Sequence, residues 1–438
     1  MKLYSTNNCK HIASLEEAIF RGLPPDNGLY MPQHIPQLPT DFFEHLPEQS
    51  FQQIAVTVSH ALFGKAIPLP DIERIVNRAL NFPAPVISLN SDTHVLELWH
   101  GPSLAFKDFG ARYMAALMSW FLQRRAAQTV ILVATSGDTG GAVAAGFYDT
   151  PGIHVVILYP SGKVSPLQEK QLTTLGKNIS ALEIEGTFDD CQALVKQAFL
   201  DEELRQYISL SSANSINIAR LIPQSFYYFE AYKQLMPTHK PVIFVVPSGN
   251  FGNLTAGLIA QKMGLPVAHF VAATNANDVV PQYLHSGVFT PRPSIPTISN
   301  AMDVGNPSNF YRMLDLFGST WNNLRKTVSG FAFNDEQTLQ AIREIYRQYG
   351  YLMDPHGAVG YLAWKAYQSR NPGTQGVVLA TAHPAKFLET MTQTLGKAIE
   401  IPDRLAQLAC KEKKSTVLPA AYDAFRQWLE LKFKKNKT

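Results

Sequence analysis

Cysteine is scarce in this sequence. Only Cys9, Cys191 and Cys410 occur. They lie far apart with no C-x-x-C pair, so neither a disulfide framework nor a cysteine-based zinc site is expected. A charge excess is missing too. Against 38 basic residues stand 35 acidic ones, a net charge of +3, which gives no electrostatic ground for a nucleic-acid partner or an anionic membrane. The basic cluster Lys432 to Lys437 is a tail of the kind that is ordinarily solvated. No apolar run approaches the roughly 20 residues of a membrane span, and Met1-Lys2-Leu3-Tyr4-Ser5 lacks the apolar segment of a secretory leader. These absences predict a reducing, cytoplasmic setting with no membrane and no nucleic-acid partner. His100, His356 and His383 show no metal-ligand spacing. Each is expected to be a structural hydrogen-bonding histidine, and no metal is expected.

What is present is a packed chain. Its 438 residues are 46% hydrophobic and 17% charged, which fits two or three globular units. The first ninety residues read as helices and loops. Ser14-Leu15-Glu16-Glu17 has capping-box spacing, and helices are expected near 51–63 and 71–80 before Pro83 and Pro85. From about Thr93 strands alternate with helices. Strands are expected at 94–99, 129–133, 154–158, 241–246, 267–273 and 377–380, and helices at 108–125, 168–175 and 190–200. Apolar strands alternating with helices predict an α/β fold with a parallel sheet covered on both faces. Such sheets bind ligands at the carboxyl ends of their strands.

Three loops fall at such ends or beside them. In His100-Gly101-Pro102-Ser103-Leu104-Ala105-Phe106-Lys107-Asp108-Phe109-Gly110, one lysine sits among apolar residues at a helix start. Both features disfavour the ammonium form, and a partly neutral amine can condense with a carbonyl compound. In Ser248-Gly249-Asn250-Phe251-Gly252-Asn253, two glycines between strand and helix suit a phosphate, or answer the needs of a tight turn. In Thr135-Ser136-Gly137-Asp138-Thr139-Gly140, hydroxyls and N–H groups suit a substrate carboxylate, or cap the helix that follows.

Taken together, these stretches and Thr381-Ala382-His383-Pro384-Ala385-Lys386-Phe387 resemble the threonine synthases, pyridoxal-phosphate enzymes of fold type II, in the form with a long N-terminal domain. The resemblance runs in order from the Gly-Leu segment ending at Pro32 to Phe387. It implies two parallel-sheet α/β subdomains plus a mainly helical N-terminal domain: an accessory domain over 1–90, a catalytic core over 91–395 and a C-terminal helical extension over 396–438. It implies pyridoxal 5'-phosphate as cofactor, with Lys107 as its covalent attachment point beside Phe106. It also implies that Gly249, Asn250, Phe251, Gly252 and Asn253 bind the cofactor phosphate and that Thr381 contacts the pyridine nitrogen. Asn253 stands where the family commonly has an acidic residue. The substrate implied is O-phospho-L-homoserine, converted with water to L-threonine and phosphate by a monomer or homodimer. A dianionic substrate phosphate needs local donors. Lys163 is the first candidate, then Arg220 with Asn217, with Ser299 and Asn300 as neutral donors. Ser136, Asp138 and Thr139 are expected at the rest of the substrate.

Overall fold

The structure, a computed structural model, describes residues 1–124, 128–135, 137–237 and 239–434. Two parallel sheets form its centre. In the first, the strands Val328–Ala332, His269–Thr274, Val242–Pro247, Gln375–Ala380, Thr93–Glu97 and Val86–Ser88 lie side by side in that order. All run parallel except Val86–Ser88, which turns back on Thr93–Glu97. The second sheet, entirely parallel, runs Thr416–Pro419, Ile179–Glu185, Ile153–Pro160, Thr129–Ala134 and Leu210–Ser212. Central strands such as TVILVA and VIFVVP are buried at every residue, as a sheet covered on both faces requires.

The helix Lys107–Leu122 fastens these parts together. It buries every residue except Lys107 and Arg112, and it packs on the helices Leu69–Ala79, Asp138–Phe147 and Ile218–Leu221. Its expected last residue, Arg125, lies outside the described residues, as do Ser136 and the tail beyond 434.

The N-terminal region carries the helices Leu15–Arg21, Phe51–Phe63 and Leu69–Ala79, close to expectation. It also holds a small antiparallel sheet of Ile12–Ser14, Lys2–Ser5 and Tyr30–Pro32, which corrects the expectation of helices and loops alone. Strands of three or four residues are too short to display a period of two. Ser14 caps its helix by accepting from the Glu17 N–H at 3.1 Å, but the Glu17 carboxylate pairs with Arg21 instead of closing the box. In this region a full capping box is made by Ser50 and Gln53. The C-terminal stretch, expected to be helical, contributes Thr416–Pro419 to the second sheet between the helices Asp403–Ala409 and Tyr422–Phe433. Among the described residues, no helix is long and apolar enough to cross a membrane.

Candidate active site

Val242–Pro247, Gln375–Ala380 and Thr93–Glu97 are neighbours in the first sheet. Adjacent strands lie about 4.8 Å apart, so the loops leaving their carboxyl ends are forced together. Those loops are the 248–252 turn, Thr381 with its successors, and the segment leading to Lys107. The last two are stitched to each other. The Phe106 N–H donates to the Thr381 carbonyl at 2.9 Å and the His383 N–H to the Leu104 carbonyl at 3.0 Å. Leu104 adopts φ of 59°, a conformation costly for a leucine that the surrounding hydrogen bonds enforce. The Thr381 hydroxyl has no hydrogen bond among the described residues and stays available.

Lys107 is the first residue of its helix. Its ammonium lies 4.5 Å from the centroid of the Phe106 ring and makes no hydrogen bond or ion pair among the described residues. Burial lowers its pKa to about 8; Asp138 opposes the shift, and the cations Arg220 and Lys386 add to it. A neutral amine is therefore accessible near neutral pH.

Arg220 is buried and has no carboxylate partner within ion-pair distance among the described residues. One terminal nitrogen donates to the Ala213 carbonyl, while Nε is buried without a partner. Burial lowers its pKa to about 10, Asp108 opposing. The contrast is Arg312, also buried, whose three nitrogens all donate to Tyr30, Ile216 and Asn309. Arg312 is a structural tie, whereas Arg220 keeps donor capacity in hand. The Lys107 helix approaches it closely: a Cβ at Gly110 would meet Arg220 Nε at 2.9 Å.

A second buried cation, Lys386, was part of the Thr381 to Phe387 stretch but drew no role from the sequence. Its Nζ lies 2.6 Å from Asp138 Oδ1 and donates to the Ser103 carbonyl at 2.9 Å and to Gln171 at 3.2 Å. Burial works to raise the Asp138 pKa, but Lys386 overrides it and holds the carboxyl below the usual range. Asp138, also bound by Gln168 at 3.0 Å, thus counters a cation and is not free to receive a substrate anion.

The 248–253 loop is built to present donors. Phe251 adopts φ of 60° at the start of the helix Gly252–Lys262, whose first-turn N–H groups have no intrahelical partners. Asn253 Oδ1 accepts from the hydroxyls of Tyr227 at 2.6 Å and Tyr228 at 2.7 Å. That turns its Nδ2 away, buried and unpartnered, so asparagine here offers a donor to an anion where a carboxylate could not. Asn250 donates to Ser215 at 2.6 Å and accepts from the Ser308 N–H at 2.6 Å; it shapes the loop from outside. A Cβ at Gly249 would sit 2.8 Å from Met302 Cα and 2.9 Å from the Ala301 carbonyl oxygen. Gly249→Ala is expected to push this loop open and weaken cofactor binding by about tenfold or more, measured by titrating the cofactor-free protein and following absorbance.

The other expected residues differ in what their side chains have left to offer. Lys163 is exposed, and its side chain has no hydrogen bond or ion pair among the described residues; Asp190 feels its charge. Asn217 spends both amide hydrogens on the Ile19 and Ser212 carbonyls, at 2.9 and 3.1 Å, and caps Ala219. It positions Arg220 and does not offer a donor. Ser299 is buried in a network with Asn275, Thr297 and Asp303, and Asn300 is exposed. Thr139 is partly exposed with its hydroxyl unbonded among the described residues. The cap of that helix is Thr135, whose hydroxyl accepts from the N–H groups of Gly137 and Gly140 at 3.0 and 2.9 Å. His100 bonds Glu97 at 2.8 Å and His383 accepts from the Ala385 N–H at 3.1 Å, both as structural histidines. Among the described residues, no cluster of three or more His, Cys, Asp and Glu side chains is arranged to hold a metal.

An unpartnered amine in apolar surroundings, an orphaned amide donor at a glycine cradle and a free hydroxyl, all at adjacent strand ends, fit pyridoxal phosphate. Residues 82–382 match the family of pyridoxal-phosphate dependent enzymes, and the chain is a member of that class. Residues 2–80 match the threonine synthase N terminus and 357–429 the threonine synthase C-terminal region. The threonine synthase of Escherichia coli K12 is 46% identical over 98% of this chain and 99% of its own, and that of Serratia marcescens is 45% identical over 98% and 99%. The crystal structure of the E. coli enzyme superposes with a TM-score of 0.92 over 99% of this chain and 100% of that one at 45% identity. The pyridoxal-phosphate-bound enzyme of Brucella melitensis gives 0.93 over the full length of both at 35% identity. The chain belongs to the threonine synthase family.

Proposed function

We propose that this chain converts O-phospho-L-homoserine and water into L-threonine and phosphate, with Lys107 as both the attachment point of pyridoxal phosphate and the principal proton carrier. When bound, the cofactor draws electrons away from the α carbon of the amino acid. Lys107, displaced by the substrate amine, would take the α proton and hand it to the bound cofactor before taking a β proton as a neutral amine again. Phosphate leaves from the γ carbon, Lys107 returns the β proton there, and as water adds at the β carbon the first proton comes back to the α carbon through Lys107. The 249–253 donors hold the cofactor phosphate, and Thr381 faces the pyridine nitrogen.

The observation that favours a phosphorylated substrate is Arg220. A guanidinium buried without a carboxylate is costly unless an anion arrives to meet it, and Asn253 already serves the cofactor phosphate. Arg220 therefore takes the place first given to Lys163 as the substrate-phosphate donor. Arg220→Ala is expected to raise KM for phosphohomoserine about 10- to 100-fold with the cofactor still bound, while Lys163→Ala leaves both unchanged. Steady-state kinetics with cofactor absorbance check this. A hydroxyl at the pyridine nitrogen offers no charge partner, so Thr381→Asp is expected to lower turnover and increase deamination.

The same reading sets the enzyme in the cytoplasm, with the cysteines reduced, and divides the chain into an accessory region over 1–90, a core over 91–395 and a C-terminal extension. A fungal L-serine ammonia-lyase from Rhizomucor miehei shares the fold at a TM-score of 0.57 and 15% identity. One assay separates the two activities. Phosphate and threonine are expected in equal amounts from phosphohomoserine. Deamination of serine or threonine without phosphohomoserine turnover would refute the proposal.

A further inference from the structure

His356 has no task in the reaction as described. It lies at the head of the helix Pro355–Gln368, which packs on the first sheet and leads into the strand Gln375–Ala380. A helix leading into a parallel strand runs antiparallel to it, so the head of this helix is at the carboxyl edge of the sheet, with Lys107. Asp354 caps the helix, accepting from the N–H groups of Gly357 and His356, each at 3.1 Å. Its Oδ2 also lies 2.6 Å from His356 Nδ1. A carboxylate only accepts, so Nδ1 carries the proton and Nε2 of the neutral ring presents its lone pair. That nitrogen is buried without a hydrogen-bond partner, on a side chain 3% exposed. Phe387 holds the ring edge-on at 5.0 Å. Asp138 and Asp303 also feel the charge of His356. Asp138 also feels Lys107 and Lys386, so the imidazole and the Lys107 amine both act electrostatically on one carboxylate at this edge of the sheet.

We propose that His356, oriented by Asp354, is the base that activates the water added at the β carbon. This rests on the phosphohomoserine reading above. One O–H bond of the water breaks and its proton goes to Nε2. The oxygen bonds to the β carbon, the electron pair of the carbon–carbon double bond moves to the α carbon, and that carbon takes a proton from Lys107. The imidazolium then loses its proton to solvent. General-base help of this kind is worth about 10²–10⁴-fold. Without it, the unsaturated four-carbon skeleton waits and is lost by hydrolysis as 2-oxobutyrate and ammonia, phosphate having already departed.

His356→Gln and Asp354→Asn test this by measuring phosphate, threonine and 2-oxobutyrate together. Threonine formation is expected to fall about 10²-fold and phosphate release by less than about tenfold, with 2-oxobutyrate making up the difference. In the cofactor-free wild type, proton NMR is expected to show a strongly downfield Nδ1 proton that both variants lose. Asp354→Asn carries the same expectation and decides the matter where His356→Gln does not fold. Threonine and phosphate in equal amounts from either variant, equal falls in both products, or absence of the downfield proton in the wild type would overturn the proposal. Failure of the wild type to release phosphate from phosphohomoserine would overturn instead the functional reading beneath it.

Discussion

Lys107→Ala is expected to bind pyridoxal phosphate without a covalent bond and to lose turnover by about 10⁴-fold. The size follows from the number of steps that pass through one amine: attachment, two proton abstractions and two proton returns. Lys107→Arg should fail as completely, because a guanidinium does not deprotonate near neutral pH. Absorbance after borohydride treatment reads the attachment, and phosphate release reads the turnover. Wild-type activity in either variant would end the assignment. The depressed pKa gives a separate check. In the cofactor-free protein, reaction of Lys107 with an amine-directed reagent should rise through a midpoint near pH 8, well below that of an exposed lysine.

Lys386→Met is expected to destabilise the fold by about 3–5 kcal/mol, because it leaves the Asp138 carboxylate buried and unpaired. The pair at 2.6 Å is nearly excluded from solvent on both sides. It also joins the helix Asp138–Phe147 of the second sheet to the Lys107 loop through the Ser103 carbonyl. The pH dependence has a definite sign. In the native protein Asp138 titrates below its usual value, so the pair contributes stability that is present above about pH 4 and lost as pH falls through the folded pKa. In Lys386→Met the largest influence that lowers the Asp138 pKa is gone while burial still raises it, so the carboxyl is expected to titrate higher than in the native protein. The deficit is then largest near neutral pH and shrinks as acid protonates Asp138. Thermal melts of Lys386→Met with and without Asp138→Asn check this. The double variant should recover most of the loss, and no recovery would show that Lys386 acts by packing alone.

Much of this site was legible in the sequence because its parts are local. An apolar window around a lysine, two glycines after a strand and a hydroxyl at another strand end are each visible within a dozen residues. The parallel sheets were legible for the same reason, since strands such as Thr129–Ala134 and Val242–Pro247 are nearly unbroken apolar runs. Ile179–Glu185 and Val328–Ala332 escaped because Ser180, Glu183, Ser329 and Gly330 interrupt theirs. What could not be read was pairing across distance. Lys386 meets Asp138 only in the fold, and nothing near either residue marks the other. Arg220 and Lys163 look alike in sequence, yet one is buried and one exposed. The signal for His356 is local: Asp354-Pro355 is a helix start, and a capping carboxylate two residues before a histidine can hold its ring.

The strand Thr416–Pro419 closes one flank of the second sheet by pairing with Ile179–Glu185, residue 416 lying opposite residue 182. Its neighbour helix Tyr422–Phe433 buries Phe425 and Leu429 in the same apolar cluster as Leu182, Ile184 and Leu194. During synthesis, the ribosome makes every other strand of that sheet before these residues exist. The growing polypeptide therefore carries an unpaired strand and a bare apolar surface through more than two hundred codons. Such a flank invites pairing with a neighbouring nascent chain, and native closure waits on the slowest kind of contact, one between the middle and the end of the message. Yield in a cell-free translation should accordingly depend on chaperones up to release of the last twenty residues, and a chain stopped at residue 412 should accumulate as aggregate.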